Sequence, residues 1–317
     1  MRPALSRLGL GGAQFGNLYR TMPEATVEQT FTTAWESGIR YFDTAPHYGL
    51  GLSEYRLGRL LGRYPRDDYV LSTKVGRRLV ANPDYAGELD DEGFAVAADT
   101  RRVWDFSRGG IRRSLEESLQ RLGLDRVDVA YLHDPEGHWN QALREGLPAL
   151  AELRDEGMVS AIGAGMNFAG HLTELIRRFD VDLVMCAGRY TLLEQAEDLM
   201  SVAQERGAGV VVAGVYNSGL LARPRPGPDP KYNYEPAPRA LVERVHAIAD
   251  VCERYGVQLP DAALAFPLRN PAVVSVVVGA SGPGQVSQAV DRLNVDIPPS
   301  LWTDLAAAGL IGAATAG

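Results

Sequence analysis

Short β-branched apolar runs alternate with longer stretches of helical spacing along this 317-residue chain, the pattern of a parallel sheet with crossover helices. Residues 8–14, 40–42, 69–73, 127–132, 159–164, 183–186, 209–213 and 273–278 read as eight strands. Helical periodicity marks 24–37, stopped by Gly38, and 53–61, with Ser53 as N-cap. In 107–122, Ile111, Leu115, Leu119 and Leu122 share a face and Gly123 is the stop. Further helices are expected at 139–156, 169–179, 193–206, 239–255, 261–268 and 283–293, with a short last one capped by Ser300.

Two segments break the rhythm. Residues 76–104 are acidic, contain Gly and Pro, and show little periodicity, so they read as an insertion on the face where barrel enzymes carry their chemistry. Residues 223–238 hold six prolines and read as a long loop after the seventh strand. Eight βα units predict an α/β protein, a (β/α)8 TIM barrel, as a single domain over 1–317. The competing open, doubly wound sheet lacks support because Gly9-Leu10-Gly11-Gly12-Ala13-Gln14 misses the glycine spacing of the dinucleotide fingerprint.

Composition narrows the function classes. A net charge of -8 argues against nucleic acid or an anionic membrane surface as the partner, leaving a small molecule; oligomeric state is open. Cys186 and Cys252 are too few for a disulfide framework or zinc site, and no metal site is expected. No apolar run approaches the roughly 18 residues of a membrane span. Glycines also interrupt the first apolar stretch where a signal-peptide core would lie, so a cytoplasmic location is expected.

Polar residues at three strand ends carry the candidate chemistry: Asp43 and, five residues on, Tyr48 after the second strand, Lys74 after the third, His133 after the fourth. Taken singly, each has an ordinary structural reading as cap, wall, solvated charge or satisfied histidine. Together they form a proton-handling set. A tyrosine has an ordinary pKa of about 10, and a nearby ammonium favours its phenolate. Lys74 supplies that charge, Asp43 holds Lys74, and His133 donates to a carbonyl oxygen or shares the proton, as carbonyl–alcohol interconversion by hydride transfer requires.

The chain resembles the aldo-keto reductase superfamily from Leu8 to about Leu293. The matching stretches include Gly38-Ile39-Arg40-Tyr41-Phe42-Asp43-Thr44-Ala45-Pro46-His47-Tyr48-Gly49, Thr73-Lys74, Leu132-His133-Asp134-Pro135 and Ile162-Gly163 through Asn167. The resemblance implies a barrel binding a nicotinamide dinucleotide, with Tyr48 as acid/base beside Asp43, Lys74 and His133, and Asn167 on the carboxamide. It also implies cofactor contacts from Gly12, Tyr216, Ser218, Gly219, Leu220, Gly279, Ala280, Ser281 and Gln285. Met166 departs from the usual serine, and Ala187 stands where a glutamine is common.

No basic residue lies between 270 and 291, and Gln285 stands where an arginine commonly meets a 2′-phosphate, so NAD is the expected cofactor, NADP being possible. Asp105-Phe106-Ser107, Ala187-Gly188-Arg189-Tyr190 and Tyr216-Asn217-Ser218-Gly219-Leu220 are similar to the aldose 1-dehydrogenase branch, which takes in L-fucose/D-threo-aldose and pyridoxal 4-dehydrogenases. That implies oxidation of a cyclic hemiacetal, an aldose or pyridoxal, to its lactone. Gln14, Phe15, His47, Trp104 and Met166 are the candidate substrate contacts. The alternatives are an NADPH-dependent aldehyde or ketone reductase and, in another class, a cofactor-binding regulatory subunit.

Overall fold

A computed structural model describes residues 3–233 and 235–312. Met1-Arg2, Tyr234 and 313–317, which the expected single domain includes, lie outside the described residues. Eight strands form the centre: β1 (Leu8–Gly11), β2 (Tyr41–Asp43), β3 (Val70–Val75), β4 (Val129–His133), β5 (Ala161–Met166), β6 (Leu183–Ala187), β7 (Gly209–Ala213) and β8 (Val273–Gly279). Each pairs in parallel with its sequence neighbours, and β8 returns to β1 with Leu8 opposite Val276. The sheet is closed, so the expected (β/α)8 barrel is the fold.

Closure buries every strand on both faces, which is why the strands read as continuous apolar runs. Alternate residues split into two sets. Tyr41, Val129, Tyr131, Leu183, Met185, Val211 and Val277 fill the barrel, whereas Phe42, Leu71, Ala130, Leu132 and Val210 belong to the larger core that includes the helices. Gly9 makes room for the Tyr41 ring: a Cβ there would sit 2.7 Å from Tyr41 Cδ1. Among the described residues no helix is long and apolar enough to cross a membrane.

The elements depart from expectation in instructive places. The 76–104 segment is not irregular throughout: Arg77–Ala81 pairs antiparallel with Thr100–Trp104. Its tip, 82–99, docks on the loop after β1, where Tyr19 N–H donates to Gly93 O at 2.8 Å and Leu18 bridges to Phe94. Ser53 does not cap its helix (Leu52–Leu61). The N-cap is Gly51, at φ 90°, and the Ser53 hydroxyl instead donates to Gly12 O at 2.7 Å, tying the helix to the end of β1. The expected 261–268 helix starts earlier, at Leu259, because Gln258 and Asp261 form a reciprocal cap. The last helix, Pro299–Ala307, begins after Pro298 rather than with a Ser300 cap. Within the expected 139–156 helix, a π-helical segment at Ala142–Gly146 precedes Leu147–Asp155.

Candidate active site

Strand ends deliver the four polar residues to one rim. Asp43 ends β2, Lys74 lies one residue from the end of β3 and His133 ends β4; Tyr48 follows β2 in a turn closed by Tyr48 N–H to Ala45 O. Lys74 Nζ donates to Asp43 Oδ2 at 2.6 Å, to Tyr48 OH at 2.9 Å and to Thr44 O at 3.0 Å. All three of the ammonium's hydrogens are thereby used. Asp43 is fixed from inside the barrel, where Ser72 Oγ donates to Oδ1 at 2.7 Å. Tyr41 OH lies 3.0 Å from that Ser72 oxygen, and Tyr131 OH a further 3.4 Å away. The His133 ring stands edge-on to Tyr48 with centroids 5.9 Å apart. The structure therefore brings Asp43, Tyr48, Lys74 and His133 together.

Electrostatics differ in one respect from the sequence reading. Burial raises the Tyr48 phenol above its ordinary pKa, and Lys74, which lowers it, offsets only part of that rise. Burial also works against the Lys74 ammonium, but Asp43 and Tyr48 outweigh it and hold the lysine charged. His133 is driven well below its ordinary value, first by burial and then by Arg77 and Lys74, so its imidazole is neutral. His47 is lowered to about 2 by burial, with Arg77 and Arg102 adding to the effect.

Tyr48 and His47 open into a cleft of about 880 Å³ that runs across the barrel mouth, with Asp43, Lys74 and His133 buried behind its lining. Of the expected cofactor contacts, Asn167, Tyr216, Ser218, Gly219 and Gly279 line it. Gly12 and Leu220 are buried off the cleft, and Ala280, Ser281 and Gln285 lie beyond its lining. Gln285 Oε1 accepts from Ser281 N–H at 2.6 Å, shaping the turn before helix Pro283–Leu293. Of the expected substrate contacts, Gln14 and His47 line the cleft. Phe15 and Met166 do not; both are buried in the core, Phe15 at the turn after β1 and Met166 at the end of β5. Trp104 sits on the hairpin, exposed, with the Arg77 guanidinium 4.2 Å over its ring, and is also outside the lining.

The structure adds residues that the sequence did not single out. Arg77, Glu92, Phe94 and Asp134 line the cleft beside Tyr48. Asn217, at φ 43°, begins a left-handed run through Ser218 and Gly219 along the cleft; an asparagine before Ser-Gly was the available signal. Arg20, 261 positions away in the chain, donates to Ser281 Oγ at 3.0 Å, bringing a cation to the loop after β8. Two buried polar atoms, His133 Nδ1 and Asn217 Oδ1, have no hydrogen-bond partner among the described residues. Their orphaned capacity, with the cleft that runs from Tyr48 past Asn167, Asn217, Ser218 and Gly279, fits an elongated polar molecule such as a dinucleotide with its reacting end at Tyr48.

A closed parallel barrel with a Tyr–Lys–Asp–His set at its carboxyl rim has the architecture of a barrel enzyme. A model of the Aldo/keto reductase family matches residues 7–309. The chain is 48% identical over 313 residues to a D-threo-aldose 1-dehydrogenase of Pseudomonas sp, covering 97% of this chain and 95% of that protein. It is 39% identical over 327 residues to a pyridoxal 4-dehydrogenase of Microbacterium luteolum, with the same 97% and 95% coverage. Among solved structures, the holo form of an aldo-keto reductase from Bacillus halodurans superposes with a TM-score of 0.75 at 26% identity, covering 98% of this chain and 93% of that one. The chain belongs to the aldo/keto reductase family. It is an oxidoreductase acting on CH–OH groups, a chemistry this family carries out with nicotinamide cofactors.

Proposed function

We propose that this single barrel domain oxidises the anomeric C–OH of a cyclic hemiacetal, an aldose or pyridoxal, to the lactone. The observation that carries the proposal is the Asp43–Lys74–Tyr48 chain, 2.6 and 2.9 Å per link, ending in a phenol on the cleft wall. Relatives named as aldose and pyridoxal dehydrogenases support the substrate class.

A nicotinamide dinucleotide, when bound, supplies the acceptor for the hydride. Tyr48 takes the proton of the hemiacetal hydroxyl as the C–H bond breaks and the C=O forms. Lys74 makes this possible by favouring the phenolate that burial disfavours. Asp43 keeps Lys74 charged and aimed, and the Ser72 hydroxyl keeps Asp43 aimed in turn. His133, neutral and facing Tyr48 edge-on, is suited to hold the substrate oxygen without adding charge. Asn167, Tyr216, Asn217, Ser218, Gly219 and Gly279 would hold the dinucleotide along the cleft.

NAD is the preferred cofactor in this reading and NADP the poorer one. The 270–291 segment offers no cation of its own to a 2′-phosphate. Arg20 supplies one at Ser281, enough for NADP to be accepted. Oxidation of L-fucose, related aldoses and pyridoxal with NAD and NADP, with the lactone identified as product, tests both parts. A protein that reduces simple aldehydes with NADPH and oxidises no hemiacetal would refute them.

A further inference from the structure

The 76–104 excursion builds a wall of the cleft that the proton chemistry does not use. Its hairpin brings in Arg77, and its tip brings in Glu92 and Phe94, all lining the cleft with Tyr48. Phe94 is almost fully buried, its ring 6.2 Å from that of Tyr48 and 5.2 Å from that of His47. Opposite, Asp134 takes a left-handed φ of 42° directly after His133. There its carboxylate accepts from Arg77 Nη2 at 2.5 Å.

Glu92 is the distinctive member. Three cationic or nitrogen groups surround it, His47 and Arg77 at 3.7 Å and Arg102 at 3.5 Å. Among the described residues it accepts no hydrogen bond, and its side chain is 46% exposed. A carboxylate offers about four acceptor positions. Glu92 thus sits beside two guanidiniums with its acceptor positions unclaimed by any hydrogen bond among the described residues. Arg102 fixes the backbone behind it, pairing with Asp90 at 2.5 Å and donating to His47 O at 2.9 Å.

Carboxylate acceptors, a guanidinium donor and an aromatic face are the complement of a saturated ring bearing several hydroxyls. Each hydroxyl both donates and accepts, and the ring's C–H face is apolar. We infer that Glu92, Asp134, Arg77 and Phe94 form a hydroxyl-reading subsite that selects a polyhydroxylated cyclic hemiacetal over a bare one. The inference rests on the hemiacetal reading above and narrows it toward aldoses. Glu92 and Asp134 accept from ring hydroxyls remote from the reacting carbon, Arg77 donates to them, and Phe94 packs against the ring. Such contacts discriminate because an analogue lacking the hydroxyls forfeits the charge-assisted hydrogen bonds to Glu92 and Asp134.

The test compares L-fucose and D-arabinose with 2-hydroxytetrahydropyran, which has the ring oxygen and reacting C–OH and no other hydroxyl. Wild-type protein should favour the aldoses by at least about 100-fold in kcat/KM. Glu92→Gln should cut that ratio roughly 10-fold, mainly by raising KM for the aldoses, and Phe94→Leu should cut it too. Melting temperature and the equilibrium Kd for NAD, measured on each variant, show that it is folded. Aldose turnover with a ratio near unity, or a ratio that Glu92→Gln leaves in place, would overturn the subsite. If wild-type protein oxidises none of the three, the hemiacetal reading itself fails and the subsite falls with it.

Discussion

Lys74→Met removes the ammonium that ties Asp43 to Tyr48 while keeping the side chain's length. Lys74 is 2% exposed, and its ammonium donates to Asp43, Thr44 O and Tyr48. Taking one partner from a buried ion pair costs about 3–5 kcal/mol, because the remaining charge is uncompensated. Ser72 Oγ still donates to Asp43, so the loss should fall near the lower figure. At roughly 1.5 °C per kcal/mol for a chain this size, the melting temperature should drop by about 4–5 °C. The chemical step suffers separately. Burial already raises the Tyr48 phenol and Lys74 opposes it, so without the lysine the phenolate becomes scarcer and turnover at pH 8 should fall roughly 10²–10⁴-fold. The variant Asp43→Asn/Lys74→Met separates the two effects. Removing both charges should recover much of the melting temperature, because no buried charge is left alone, and none of the turnover. Differential scanning calorimetry and steady-state kinetics at pH 7–10 on the three proteins supply the data. Turnover within about threefold of wild type in Lys74→Met, or recovered in the double variant, would show that the ammonium does not favour the phenolate.

The sign of the pH dependence follows from the same phenol. Oxidation needs the phenolate, whose fraction grows tenfold per pH unit below a pKa that burial holds above about 10, so kcat/KM for oxidation should climb through pH 8 while reduction stays flat there; an oxidation optimum below pH 7 would contradict this. Gly16 packs against the Tyr48 backbone, and a Cβ there would sit 2.5 Å from Tyr48 C, so Gly16→Ala should shift the phenol and lower kcat on the order of 10–100-fold; an unchanged kcat would count against that packing as the guide for Tyr48. Glu54 is fully buried, accepting from Thr73 Oγ1 at 2.7 Å and Arg121 Nε at 2.6 Å. Glu54→Ala should therefore cost about 3–5 kcal/mol in denaturant unfolding, against under about 1 kcal/mol if the pair is merely superficial.

The barrel was legible because two-sided burial turns its strands into apolar runs and because helix stops such as Gly38 and Gly123 are local signals. Asp43, Tyr48, Lys74 and His133 were legible for the same reason: each lies within five residues of a strand end, so the local pattern alone assigns its rim. Features that depend on closure were not. Arg77 meets Trp104 across 27 positions, Leu18 meets Phe94 across 76, and Arg20 meets Ser281 across 261, distances over which no periodicity carries information. The chain's charge pattern likewise gave no sign that Arg20 would reach Ser281 in the loop after β8. Phe15 and Met166 fit equally a pocket wall and a core, and packing in the core decided the matter. The phenol's net shift depended on burial, which composition near Tyr48 does not reveal.

Tyr48→Phe isolates the phenol oxygen, because it removes that one atom and leaves the ring packed against His47, Phe94 and His133. NAD-linked hemiacetal oxidation should fall by at least roughly 10²-fold with the NAD Kd within about threefold of wild type. Oxidation at near wild-type rate in this variant would mean that another group carries the proton.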